Sequence, residues 1–126
     1  MNGITYDAGA LIAAERGLES VWLLHRRLLE RELRPTLPTV VLGQVWRGGP
    51  QAQLSRFMRG CRIEPFTEQQ ARAAGEALAA SDGHDLVDAA VVVSALARNE
   101  MVVSSDPGDL RRIASAIGRE LSVHVV

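Results

Sequence analysis

The chain has no lysine; all 14 of its basic side chains are arginine. That absence removes Schiff-base catalysis, attachment of pyridoxal phosphate and the phosphate-gripping lysine of a P-loop. Together with the alanine and glycine content, the bias fits a GC-rich codon usage, and the exclusion holds whatever its origin. Cysteine occurs once, at Cys61, so the sequence builds no internal disulfide, no thiolate zinc cage and no CxxC redox pair. Cys61 reads as a buried structural thiol. Aromatic residues make up 4% of the chain, too few for a stacking platform, so Trp22 and Trp46 read as core or interface anchors. Apolar runs stay short. A stretch such as Ala89 to Val93 falls far below the roughly 20 residues that cross a bilayer, and no charged-then-apolar leader opens the sequence. The expected location is the cytoplasm, with no membrane association.

What is present describes an ordinary globular chain. Its 126 residues suffice for one domain, spanning 1–126, and not for two separate cores. Apolar residues account for 47% and charged residues for 23%, which argues against disorder. A net charge near −1 gives the whole molecule no general attraction for nucleic acid.

Strand and helix signals alternate along the chain without internal repeats. A short strand at Ile4 to Asp7 leads into a helix from Ala8 to Arg16. Ser20 to Glu32 places Val21, Leu24 and Leu28 on one helical stripe. An extended piece at Arg34 to Leu37 precedes helices over Val40 to Arg47 and Gln51 to Arg59, and Cys61 to Phe66 is expected to be a strand of alternating burial. Thr67 and Gln70 have capping-box spacing at the head of a helix running to Ala80. Asp85 to Arg98 is apolar nearly all round, which implies a buried helix. Met101 to Ser104, Pro107 to Ile117 and Leu121 to Val126 complete the alternation as strand, helix, strand. Strands separated by helical crossovers predict a mostly parallel sheet between two helical layers, with ligands collecting outside the carboxyl ends of the strands.

Acidic residues stand where strands hand over to helices: Asp7 after the first strand, Asp106 and Asp109 after Met101 to Ser104, and Asp85 and Asp88 at the head of the apolar helix. Each alone has an ordinary explanation, because Asp caps helix N-termini and suits the helix dipole, at about 1 kcal/mol per cap. Gathered at one edge, the same carboxylates repel strongly unless a cation or raised pKa values relieve them. Oxygen-only ligands favour Mg2+ or Mn2+ over zinc, and such an ion serves phosphodiester hydrolysis.

Four segments, Tyr6-Asp7-Ala8-Gly9-Ala10-Leu11, Val40-Val41-Leu42-Gly43-Gln44-Val45-Trp46-Arg47, Asp85-Leu86-Val87-Asp88-Ala89-Ala90 and Val102-Val103-Ser104-Ser105-Asp106-Pro107-Gly108-Asp109-Leu110, together resemble the motifs of PIN domains. The resemblance is closest to VapC-type toxins of bacterial type II toxin–antitoxin pairs and spans essentially the whole chain. It implies a flavodoxin-like three-layer α/β/α sandwich and a Mg2+- or Mn2+-dependent endoribonuclease. By the same resemblance Asp7, Asp88 and Asp106 match the metal-holding acids, Asp109 a frequent extra acid, and Ser104 a hydroxyl that hydrogen-bonds the first acid. It further implies a cognate VapB-type antitoxin and a homodimer. Gln44 departs from the pattern, standing where the family usually has Glu and offering a neutral oxygen, which opens the alternative of a catalytically silent binding module. Asp85 is placed to compensate.

Other residues carry weaker signals. Arg47 reads either as a phosphate contact at the site rim or as a solvated helix-end cation. Arg26, Arg27, Arg31 and Arg34, interleaved with Glu30 and Glu32, read mainly as a solvated face, with an RNA track as the alternative. Trp22, Leu23, Leu24, Leu28 and Leu29 suggest more exposed apolar surface than one small sheet needs, hence a partner or self-association face. His84 reads as an exposed turn residue, and His25 and His124 carry no evident chemistry. A receiver-like signalling module also gathers aspartates at strand ends, but its chemistry needs the lysine this chain lacks.

Overall fold

A computed structural model describes residues 3–126; Met1 and Asn2 lie outside the described residues. Five strands, β1 (Ile4–Tyr6), β2 (Thr36–Pro38), β3 (Arg62–Glu64), β4 (Met101–Ser104) and β5 (Val123–Val125), form one sheet in the order β3-β2-β1-β4-β5. Every pairing is parallel. Parallel neighbours need long crossovers, and seven helices supply them: α1 (Ala8–Glu15), α2 (Glu19–Glu30), α3 (Thr39–Val45), α4 (Ala52–Met58), α5 (Glu68–Ser81), α6 (Leu86–Arg98) and α7 (Pro107–Ala116). The chain moves outward from β1 to β2 to β3, then jumps back to β4 beside β1. Right-handed crossovers therefore put α1 to α4 on one face and α5 to α7 on the other. The packing agrees, with α1 against α2, α3 and α4, and α5, α6 and α7 against one another. The expected three-layer α/β/α sandwich is what forms, and the strand order reverses between β1 and β4.

Local chemistry explains the helix starts. Asp7 accepts the Ala8 N–H at the head of α1, Thr67 and Gln70 make the reciprocal capping box of α5, and Asp85 accepts the Asp88 N–H at the head of α6. Asn99 ends α6 in the left-handed conformation at φ 56°, which its short polar side chain tolerates. The core unites both helical layers across the sheet through Ile4, Tyr6, Leu11, Leu28, Leu37, Phe57, Val91, Val103 and Ile113, all but inaccessible to water.

Several expectations are corrected. Cys61 to Phe66 does not alternate in burial: Arg62 and Ile63 are both exposed, because β3 is an edge strand with only β2 beside it. Of the five apolar residues offered as a surplus on α2, Leu28 is buried and Trp22 and Leu24 pack against the core, leaving only Leu23 and Leu29 exposed. Trp22 is an anchor as expected, its ring edge-on to Phe57 at 5.0 Å and its Nε1–H donated to the Ala14 carbonyl. Trp46 is 42% exposed and lies outside the core. Cys61 is buried, its thiol directed at the Phe57 carbonyl. No helix among the described residues is long and apolar enough to cross a membrane.

A polar knot ties the sheet to α6. Arg98, in the last turn of α6, pairs with Glu64 of β3 and with Glu100, and donates to Thr5 of β1 and Ser94. Buried carboxylates survive only with such partners. The knot anchors the far end of the helix whose first turn carries Asp88.

Candidate active site

The strand-order reversal leaves a crevice beyond the carboxyl ends of β1 and β4, where open parallel sheets bind ligands. Asp7 follows β1 directly. Its backbone N–H is held by the Val103 carbonyl at 3.0 Å, its Oδ1 accepts the Ala8 N–H at 2.8 Å, and its Oδ2 accepts the Ser104 hydroxyl at 2.8 Å. The residue is held at three points, two of them on its side chain, and is 7% exposed. Ser104, the last residue of β4, also accepts the Asp106 N–H at 3.1 Å, so one hydroxyl links both strand-end acids.

Gly9 makes this approach possible. A Cβ there would collide with the Ser105 side chain and come within 2.6 Å of its backbone nitrogen. Any larger residue would push α1 away from the loop after β4. Gly9 lay inside a quoted motif, but its role needs the neighbour across the sheet to be visible.

The three acids past the sheet edge have different partners. Asp85 caps α6 through the Asp88 N–H at 3.1 Å, so its ordinary explanation is at work. Asp106 stands at the cap position of α7, ahead of Pro107, but makes no side-chain cap bond. Its carboxylate thus has no capping duty. Asp109 pairs with Arg112 at 3.2 Å, and Arg112 also donates to the Ser81 carbonyl at the end of α5. Arg112 was not singled out in the sequence, although its spacing of three from Asp109 on one helix was a usable signal.

Electrostatics show that these acids share one field. The half-buried Asp88 carboxyl is pushed up to about 7, first by burial and then by Asp85, Asp7, Asp109 and Asp106 in turn. Asp7 is also raised, first by burial and further by Asp85 and Asp106, while the bonds from Ser104 and Ala8 pull the other way. Burial first, and mutual repulsion after it, therefore hold the carboxyls of Asp7 and Asp88 above the ordinary range.

Gln44 is exposed on α3. Arg47, also exposed, turns its guanidinium onto the Trp46 carbonyl at 2.8 Å and the Gly43 carbonyl at 3.4 Å. His84 is exposed.

The donors are hard oxygens, and their mutual repulsion is of the kind a dication relieves, so residue type and charge fit Mg2+ or Mn2+. Among the described residues, no group of three or more His, Cys, Asp or Glu side chains is already arranged to hold a metal ion. Binding there would require side-chain adjustment.

No protein-family model matches the chain, and no curated protein does. Solved structures do resemble it. A chain in the crystal structure of VapBC2 from Rickettsia felis bound to a DNA fragment from their promoter has a TM-score of 0.75 at 16% identity, covering 98% of both chains. For DNA-bound VapBC from Salmonella typhimurium the TM-score is 0.71 at 15% identity, covering 99% of this chain and 98% of that one. A toxin–antitoxin complex from Klebsiella pneumoniae gives 0.66 at 16% identity, covering 85% and 89%. The chain thus has the fold found in VapBC toxin–antitoxin complexes.

Proposed function

We propose that this chain is an endoribonuclease dependent on Mg2+ or Mn2+ and the toxin member of a type II toxin–antitoxin pair. The carrying observation is the half-buried Asp88 at the crevice between β1 and β4, its carboxyl pushed up to about 7 first by burial and then by the charges of Asp85, Asp7, Asp109 and Asp106. Asp7, Asp88 and Asp106 would hold the cation, with Asp109 assisting. When bound, such an ion supplies Lewis-acid charge to a phosphodiester and offsets the repulsion among the acids. Asp7 is the fixed ligand, held by Ser104 and Ala8. Asp88 joins by releasing its proton to solvent. Asp109 can turn toward the crevice only by leaving Arg112.

Purified protein freed of any partner should cut single-stranded RNA with Mg2+ or Mn2+, and Asp7→Asn or Asp88→Asn should lose nearly all of that activity. Equal cutting by either variant rejects the assignment.

Gln44, a neutral amide where the resemblance expects a carboxylate, favours one competing reading, a catalytically silent binding module. Calorimetric titration separates the two, since a live site takes up Mn2+ with measurable heat and a silent one does not. In a live site Gln44→Glu should raise cutting by adding a charged ligand.

The fold's likeness to chains in toxin–antitoxin complexes supports a VapB-type antitoxin as partner. A cleft of about 330 Å³ beside the Gly9–Ser105 contact, lined by Ile12, Ala13, Leu18, Arg16 and Val126, offers apolar surface for such a segment. A homodimer and a cytoplasmic location complete the proposal.

A further inference from the structure

Charge is divided unevenly between the two helical layers. Residues 8–60, which build α1 to α4, carry eight arginines against four carboxylates, while Asp7 and residues 61–126 carry six arginines against eleven. Pairing sharpens the division. Arg62, Arg72, Arg98 and Arg112 all have carboxylate partners. Among the described residues, none of the eight arginines between 8 and 60 has a carboxylate within 4.0 Å. Arg26, Arg27, Arg31 and Arg34 are exposed, the solvated face the sequence suggests.

Arg27 in the last turn of α2 and Arg31 at its C-cap stand four residues apart and line, with Leu24 and Leu28, a cleft of about 190 Å³. Like charges at this spacing destabilise a helix unless an anion lies between them. Two guanidinium groups in one cleft present donors suited to phosphate oxygens. A polyanion approaching the aspartate crevice meets repulsion there, so its affinity has to come from cations elsewhere.

We infer that the Arg27–Arg31 cleft on α2 anchors the phosphate backbone of single-stranded RNA, at a distance from the aspartate crevice. The substrate class rests on the ribonuclease reading above; the charge distribution and the cleft do not.

The test measures anisotropy of a fluorescent single-stranded RNA with Asp88→Asn protein, which should not cut it, across a series of KCl concentrations. Arg27→Gln/Arg31→Gln should weaken binding and reduce the slope of log affinity against log salt by about 1.4, near 0.7 per lost phosphate contact on a single strand. The same charge removed from the opposite layer, by Arg111→Gln on α7 with Arg119→Gln just beyond it, should leave the slope unchanged. Equal losses from both pairs, or none from the α2 pair, overturn the anchor. Preference for poly-glutamate over RNA also overturns it and makes the cleft a peptide dock. With Asp88 intact, the α2 pair should raise KM and spare kcat. If the unmodified protein fails to cut RNA, the ribonuclease reading falls while the anisotropy result still decides the anchor.

Discussion

The Ser104 hydroxyl donates to Oδ2 of Asp7 at 2.8 Å, joining the ends of β1 and β4 across 97 residues of chain. The same oxygen receives the Asp106 N–H. Ser104→Ala should therefore cost about 1–3 kcal/mol in urea unfolding, because it leaves a buried acceptor and a backbone donor without their partner. It should also weaken Mn2+ uptake, since the hydroxyl helps keep Asp7 ionised. Ser104→Thr keeps the oxygen and should keep both properties. Alanine behaving like threonine would show that the bond has no such role.

Asp88 should trade stability for its position. Its folded carboxyl lies near 7, above the ordinary 3.8, so between those values the native state holds a proton that the unfolded chain has released. Stability falls as pH rises through that window and stays reduced above it. In metal-free protein Asp88→Asn should thus be more stable at pH 8 than the parent. About 1–2 kcal/mol is expected once solvent screening of this half-buried group is allowed for. Adding Mn2+ should raise the Tm of the parent and leave that of the variant nearly unmoved. Thermal unfolding in EDTA and in Mn2+ checks both halves.

His25 should give the opposite slope. It is buried, accepts the Tyr6 hydroxyl at Nδ1 at 2.8 Å and stacks on Phe57 at 4.0 Å, and burial lowers its pKa to about 4. Protonation would make Nδ1 a donor facing a hydroxyl locked in the core. The unfolded ring takes its proton near 6.5, so this stability is complete above about 6.5 and is lost as pH falls toward 4, by up to about 3 kcal/mol. The stability gap between the parent and His25→Gln should shrink over that interval. A pH-independent gap would contradict the assignment.

Gly9→Ala should disturb the site without touching an acid. The added Cβ meets Ser105, so α1 or the loop after β4 must shift, at about 1–3 kcal/mol. RNA cutting should fall more than stability alone explains, because the shift separates Asp7 from Asp106. Gly43→Ala serves as the control, since a Cβ there meets nothing within 4 Å. Parallel unfolding and cleavage assays on the two variants decide the matter.

Much of this was legible in the residues. Alternating strand and helix signals gave the layered parallel sheet, and caps such as Thr67 with Gln70 were readable because capping is local chemistry. Asp7, Asp88 and Asp106 were visible as acids at strand ends and helix starts for the same reason. What escaped depends on neighbours distant in sequence. β3 was taken for an alternating strand because its place at the sheet edge is a property of topology. Gly9 gave no sign of its contact with Ser105, and nothing local showed that Arg47 would turn back on its own helix. The burial of His25 beneath Gly60 likewise depends on how α2 and α4 meet; a Cβ on Gly60 would stand 2.8 Å from the imidazole.

The juxtaposition of β1 with β4 also bears on synthesis. Asp7 is synthesised well before the serine that orients it, 97 residues further along the chain. A growing polypeptide therefore holds this strand edge unassembled until Ser104 and Asp106 have emerged. Long-range parallel pairing of this kind also closes slowly. Premature termination before Ser104 should leave Asp7 without the hydroxyl that holds its Oδ2.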